Sequence, residues 1–166
     1  MVTTIAFKDG IMASDSCVTG YGMQEASICK ISRTSAGALV GFSGDADTRA
    51  ILALLDKVKT DKQLPSKQEI AACQTDCALI IAFSPGNAWF VECDEGEGGR
   101  FSASVCPANL GFSAVGSGSK LAIGAMLAGK SAREAVAIAC KVDSYSKLPV
   151  HTLSFEPKKP KPPRPK

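Results

Sequence analysis

Histidine is nearly absent: His151 is the one histidine in 166 residues. The seven cysteines include no C-x-x-C pair, so the ligand spacings that hold zinc are missing. No apolar run approaches the ~20 residues that a membrane-spanning helix requires. The opening Met-Val-Thr-Thr-Ile-Ala-Phe has neither the basic flank nor the long apolar stretch of a secretory signal. Gly116-Ser117-Gly118-Ser119 lacks the third glycine of a dinucleotide fingerprint, and no Walker pattern occurs. Excess charge is also missing from the body of the chain. The net charge is +3, but Glu156 to Lys166 hold five basic residues and one acidic one, which leaves 14 basic and 15 acidic residues elsewhere. A body so balanced has no electrostatic footprint for nucleic acid. The expectation is a cytoplasmic protein with no metal, cofactor, nucleic-acid or membrane partner.

What is present is ordinary for a globular protein: 45% hydrophobic and 21% charged residues. The expected division is one domain over residues 1–155 and a basic, proline-rich tail over residues 156–166 that cannot build a core. Most of the cysteines are expected to be small buried hydrophobes in a reducing compartment.

The first residues predict a hairpin, with β-branched and apolar Thr3 to Phe7, an Asp9-Gly10 turn signal, and a return over Ile11 to Ser16. A second hairpin runs from Ile28 to Arg33 and from Ala38 to Phe42. Ile51, Leu54, Leu55 and Val58 then fall at i, i+3, i+4 and i+7, the spacing of a helix with one apolar face. Ser66-x-x-Glu69 and Ser131-x-x-Glu134 are capping-box signatures that open two further helices. Between them lie strands over Cys77–Phe83, Ala88–Cys93, Arg100–Val105 and Gly111–Val115, then a helix after Ser119. A strand near Val150 to Phe155 closes the chain. Blocks of strands alternating with helix pairs predict an α+β fold: two sheets face to face with a helix pair outside each, a four-layer αββα sandwich.

If the first turn centres on Asp9, Thr3 faces Asp15 across the hairpin, Ile5 faces Ala13 and Phe7 faces Ile11, and directly opposed side chains share a face. A threonine near the start of the chain then stands beside a carboxylate. Six segments follow one another in the order seen in proteasome β-subunits and in HslV. They are Thr3-Thr4-Ile5, Asp15, Lys30-Ile31-Ser32-Arg33, Gly41-Phe42-Ser43-Gly44, Val115 to Ser119, and Asp143-Ser144-Tyr145-Ser146. The chain resembles these N-terminal nucleophile hydrolases over residues 3–155, and its size resembles the simpler beta-proteobacterial homologue.

The resemblance implies a self-compartmentalising threonine peptidase that hydrolyses polypeptides, with identical subunits in stacked rings and an ATP-dependent unfoldase as a candidate partner. Residue by residue, it makes Thr3 the nucleophile and, through its amine, the general base. Lys30 is the adjacent cation, and Asp15 holds it. The Gly44 N–H lines the oxyanion hole. Ser117, Asp143 and Ser146 orient the amine. The chemistry has a physical reason, because a threonine hydroxyl needs a base and a free α-amino group, with a pKa of ~7.7–8.0, is partly neutral near pH 7. Taken singly, Asp15 with Lys30 reads better as a surface ion pair, and the glycine-serine runs read as turns. His151 has no role in this chemistry and is expected to be structural.

The sequence departs from the pattern in three places. Met1 and Val2 precede Thr3, so activity requires exposure of Thr3 by processing or an alternative start. Lys147-Leu148 stands where the family often has Gly-Gly, and the first hairpin is shortened. A catalytically inactive ring protein that binds or encloses a partner is the alternative reading.

Overall fold

The computed structural model describes residues 3–20, 23–26, 28–44 and 49–155; Met1, Val2 and the tail expected over 156–166 lie outside them. Strands β1 (Thr4–Lys8) and β2 (Ile11–Ser14) form the expected first hairpin. Its turn is Asp9-Gly10, with φ of +52° and +78°. Two successive positive φ values define the tight two-residue turn that Asp-Gly favours. The turn therefore centres between Asp9 and Gly10 rather than on Asp9. Ile5 pairs with Ser14 and Phe7 with Met12, one residue away from the pairing that the sequence suggested. Thr4, not Thr3, lies opposite Asp15, whose N–H donates to the Thr4 carbonyl at 3.0 Å.

The chain continues into β3 (Cys17–Gly20) and β4 (Met23–Ala26), a separate two-stranded sheet that the sequence reading did not anticipate. The second expected hairpin is β5 (Ile31–Arg33) with β6 (Leu39–Gly44), and the Thr34 N–H closes its turn on the Ala38 carbonyl at 2.9 Å. Strands β7 (Cys77–Ser84), β8 (Asn87–Glu95) and β9 (Phe101–Pro107) complete a five-stranded antiparallel sheet in sequential order. Strands β10 (Phe112–Gly116) and β11 (His151–Ser154) flank the first hairpin in a four-stranded sheet ordered β10-β1-β2-β11.

Among the described residues four α-helices cover the outer faces: α1 (Arg49–Asp56), α2 (Lys67–Ala71), α3 (Ser119–Leu127) and α4 (Ala132–Val142). Both expected capping boxes are formed. Ser66 and Glu69 exchange side-chain and backbone hydrogen bonds, as do Ser131 and Glu134, so the donors at each helix start are satisfied locally.

Three apolar layers hold the sandwich. Ile5, Phe7, Met12, Leu39, Ile80 and Val115 fill the space between the sheets. Val40, Leu79, Ile81 and Val91 pack outward against Ile51 and Leu55 of α1 and Ile70 of α2. On the opposite outer face Ala6, Ala13 and Ala114 meet Ala122, Met126, Ala132, Ala135 and Val136 of α3 and α4. The run Cys77 to Ala82 is buried throughout because its strand is covered on both faces. The architecture is the expected αββα sandwich. Leu54 is a local exception: it is 37% exposed, outside the stripe that buries Ile51, Leu55 and Val58.

The cysteines are less buried than expected. Cys17, Cys77 and Cys93 are buried, Cys73 and Cys140 are partly so, and Cys29 and Cys106 are exposed. Cys77 pairs directly with Cys93 across β7 and β8, and burial pushes its thiol up to about 12. A thiol so held stays protonated and packs as a hydrophobe.

Candidate active site

The site gathers where β1 begins, β2 ends and the loop after α4 crosses above them. Thr3 and Asp15 each stand just outside the paired strands, so the pleat no longer dictates where their side chains lie. Despite the shifted register, the Thr3 hydroxyl donates to Asp15 Oδ1 at 2.5 Å. Lys30, just before β5, donates to the same oxygen at 2.8 Å and also contacts Thr3 Oγ1. The ion pair is enclosed, with side-chain exposures of 10% for Lys30 and 0% for Asp15. The surface-pair reading therefore fails. Removing one partner of such a buried pair leaves an uncompensated charge, at a cost of about 3–5 kcal/mol.

Asp15 is the hub of this end of the fold. Besides Thr3 and Lys30, it accepts the Thr4 N–H on Oδ1 at 2.9 Å. Its Oδ2 accepts the Cys17 N–H at 2.8 Å and the Lys147 N–H at 3.2 Å. The departure at Lys147-Leu148 is accommodated here. Lys147 makes these contacts with its backbone, its carbonyl also receiving the Ser16 N–H at 2.9 Å, and Leu148 is 59% exposed.

A second arm reaches the nitrogen of Thr3. That N–H points at Ser117 Oγ at 3.4 Å. Ser117 follows β10, where Gly116 adopts φ +92° and a Cβ would collide with the Thr3 carbonyl oxygen. Glycine is required for this approach. Ser117 donates to Asp143 Oδ2 at 2.7 Å, and Ser146 donates to the same oxygen at 2.5 Å. Burial alone would raise the Asp143 carboxyl, but the hydrogen bonds from Ser146, Ser117 and the Tyr145 N–H outweigh it and hold it below its ordinary value. Asp143 is the C-terminal flanking residue of α4.

Six of the seven residues singled out in the sequence thus lie in one continuous hydrogen-bonded cluster: Thr3, Asp15, Lys30, Ser117, Asp143 and Ser146. Gly44 is not joined to it among the described residues. It ends β6 opposite Cys77, at the sheet end marked by the bond from the Phe42 N–H to the Lys30 carbonyl at 3.0 Å. A Cβ there would sit 2.5 Å from the Asp76 carbonyl oxygen, so only glycine fits. His151 lies on β11 opposite Ser14, with a buried Nε2 that has no partner among the described residues.

The sequence reading missed Thr4. It is fully buried, and its hydroxyl stands 2.6 Å from Ser146 Oγ. The alternation along β1 was the available signal, since Thr4 shares a sheet face with Ala6, the face that α3 and α4 cover.

Layers and site together define the fold class as that of the N-terminal nucleophile hydrolases, the αββα sandwich with its candidate nucleophile at the start of the first strand. Among the solved structures similar to this chain are two of one protein. Thiobacillus denitrificans BPH in complex with epoxomicin is 25% identical, spans 95% of this chain and 100% of its own, and superposes with a TM-score of 0.62. A second structure of Thiobacillus denitrificans BPH is 24% identical over the same shares, with a TM-score of 0.56. The similarity to a beta-proteobacterial proteasome homologue is thereby borne out. No family model matches the sequence. No curated protein matches it either.

Proposed function

We propose that this chain is a threonine-type endopeptidase subunit, active once Thr3 has become the first residue. The observation that carries the reading is the Thr3 hydroxyl in contact with both members of the buried Asp15–Lys30 pair. The likeness to BPH, whose structure holds epoxomicin, supports a peptidase-like activity.

The contacts among Thr3, Asp15 and Lys30 support the following mechanism. With Thr3 unacylated, its amine takes the Oγ1 proton as Oγ1 bonds to the carbonyl carbon of a peptide. The Lys30 ammonium stabilises charge on Oγ1, and Asp15 holds Lys30 in place. The oxyanion that forms takes a hydrogen bond from the Gly44 N–H; one such donor is worth about 2.7–4 kcal/mol in other hydrolases. The C–N bond then breaks, the leaving amine departs with the proton held by the Thr3 amine, and an ester on Thr3 remains. Water cleaves the ester and regenerates the hydroxyl. Ser117, Asp143 and Ser146 hold the amine throughout.

Assembly into stacked rings of identical subunits would enclose these sites, with unfolded polypeptides as substrates and an ATP-dependent unfoldase as the delivering partner. Residence in the cytoplasm fits this role. Among the described residues no helix is long and apolar enough to cross a membrane.

Thr3→Ala is expected to lower peptide hydrolysis at least ~10³-fold while assembly is kept, measured with a fluorogenic peptide and by size-exclusion chromatography. Intact mass of the active species should give a chain beginning at Thr3. An active protein that retains Val2 would sink the amine-as-base mechanism. One observation favours a second reading, a catalytically inactive ring protein that binds or encloses a partner: in the sequence Val2 is joined to Thr3 by an amide, which cannot accept the proton. On that reading Thr3→Ala behaves like the wild type.

A further inference from the structure

We infer that Thr4 is a positioning residue whose hydroxyl, through Ser146, sets the Asp143–Ser117 arm that receives the Thr3 nitrogen. The inference rests on the peptidase reading above and deepens it.

Proton counting fixes the direction of the contact. Ser146 has one hydroxyl hydrogen, and its 2.5 Å partner Asp143 Oδ2 is a carboxylate that can only accept. The 2.6 Å contact between Thr4 Oγ1 and Ser146 Oγ therefore has Thr4 as donor. Ser117 likewise gives its hydrogen to the Asp143 carboxylate at 2.7 Å, in preference to the Thr3 carbonyl at 3.1 Å. That leaves a Ser117 lone pair facing the Thr3 nitrogen at 3.4 Å. The donors run in one sense, from Thr4 to Ser146 to Asp143, and Ser117 joins from the other side. Residue 4 thus reaches around, through a loop 142 positions away in sequence, to hold the nitrogen of its own neighbour.

Thr4 has no freedom to do otherwise. It is fully buried. Its Oγ1 occupies the space that a Cβ on Gly118 would need, and Ala139 Cβ stands 3.0 Å from the same point. Hydrogen bonds in such a chain polarise one another, so removing the first donor weakens the bond that Ser146 gives Asp143. The buried Ser146 hydroxyl is then free to turn away from the arm.

The test compares Thr4→Val, which keeps the shape and removes the donor, with Thr4→Ser, which restores it. In Thr4→Val kcat is expected to fall about tenfold, in line with the loss of one hydrogen bond to a charged network, with KM nearly unchanged. The acidic limb of the kcat/KM pH profile should move, because the arm faces the amine that acts as base. Thr4→Ser should recover kcat to within about twofold. Followed by NMR, which needs no turnover, the Asp143 carboxyl should titrate at higher pH in Thr4→Val and return in Thr4→Ser.

Unchanged kcat, pH profile and Asp143 titration in Thr4→Val would overturn the inference. So would a Thr4→Ser protein as impaired as Thr4→Val, which would assign the effect to the buried methyl. If Thr3→Ala abolishes hydrolysis and Thr4→Val does nothing, only this inference falls. If Thr3→Ala still hydrolyses peptides, the peptidase reading falls and takes it along.

Discussion

The two outer faces of the sandwich are built from different side chains. Against α1 and α2 the five-stranded sheet presents Val40, Leu79, Ile81 and Val91, large residues that fill volume and keep the helices at a distance. Against α3 and α4 the four-stranded sheet presents Ala6, Ala13 and Ala114, met by Ala122, Ala132 and Ala135 together with Met126 and Val136. Alanine at every buried sheet position of this cluster lets helix backbone approach sheet backbone. The close face is the one that carries chemistry. Ser117 precedes α3 and reaches Thr3 just before β1, and Asp143, at the end of α4, reaches it through Ser117. One face supplies stability through burial, and the other gives up apolar area to hold polar atoms within hydrogen-bonding distance.

Substitutions that exchange the characters of the two faces test this division. Leu79→Ala, at a fully buried position, should cost about 2–5 kcal/mol from lost burial and a residual cavity. Chemical denaturation measures that loss, and kcat per folded molecule should stay at the wild-type level. A large fall in kcat would break the comparison. Ala135→Leu, also fully buried, should cost about 1–3 kcal/mol by overpacking. It should lower kcat as well, since the displaced α4 carries Asp143 away from Ser117. A crystal structure with the Asp143–Ser117 bond intact beside a normal kcat would refute that coupling.

The smallest effect is expected at the start of α4. The Ser131 N–H, the Ser131 hydroxyl and Lys130 pull the Glu134 carboxyl from 4.5 down to about 2. Because the folded value is depressed, the stabilisation is complete above pH 4.5, fades as the pH falls toward 2 and is gone below it. Glu134→Gln should thus lower Tm slightly at neutral pH, and the difference should close on acidification. A gap that persists at pH 2 would show a cause other than ionisation. Melting curves across pH read it directly.

Much of the layer order was legible because its signals are local. The two capping boxes depend on residues three apart and formed as read. The apolar run from Cys77 marked a strand, and the stripe of Ile51, Leu54, Leu55 and Val58 marked a helix with one apolar face, Leu54 alone falling outside it. The Thr3–Asp15 partnership was read correctly for a partly wrong reason. The Asp9-Gly10 turn shifts the register by one, and contact survives because both residues lie beyond the ladder, where side chains turn freely. The β3–β4 hairpin carried no strong alternation and was missed. Thr4 was overlooked beside the more conspicuous Thr3. The backbone donors from Cys17 and Lys147 have no side-chain signature, so sequence alone did not reveal them.

By itself, then, the order of residues determined which segments pair, which faces are apolar, and which polar residue types are available near the beginning of the first strand. Those follow from spacing over a few residues and from turn chemistry. Only the tertiary structure decided that Lys30, Ser117, Asp143 and Ser146 meet around Thr3, and that Thr4 rather than Thr3 lies opposite Asp15. The meetings with Ser117 and Ser146 join positions more than a hundred residues apart. They depend on how β1, β10 and α4 are packed together, a property of three dimensions that no short stretch of sequence contains.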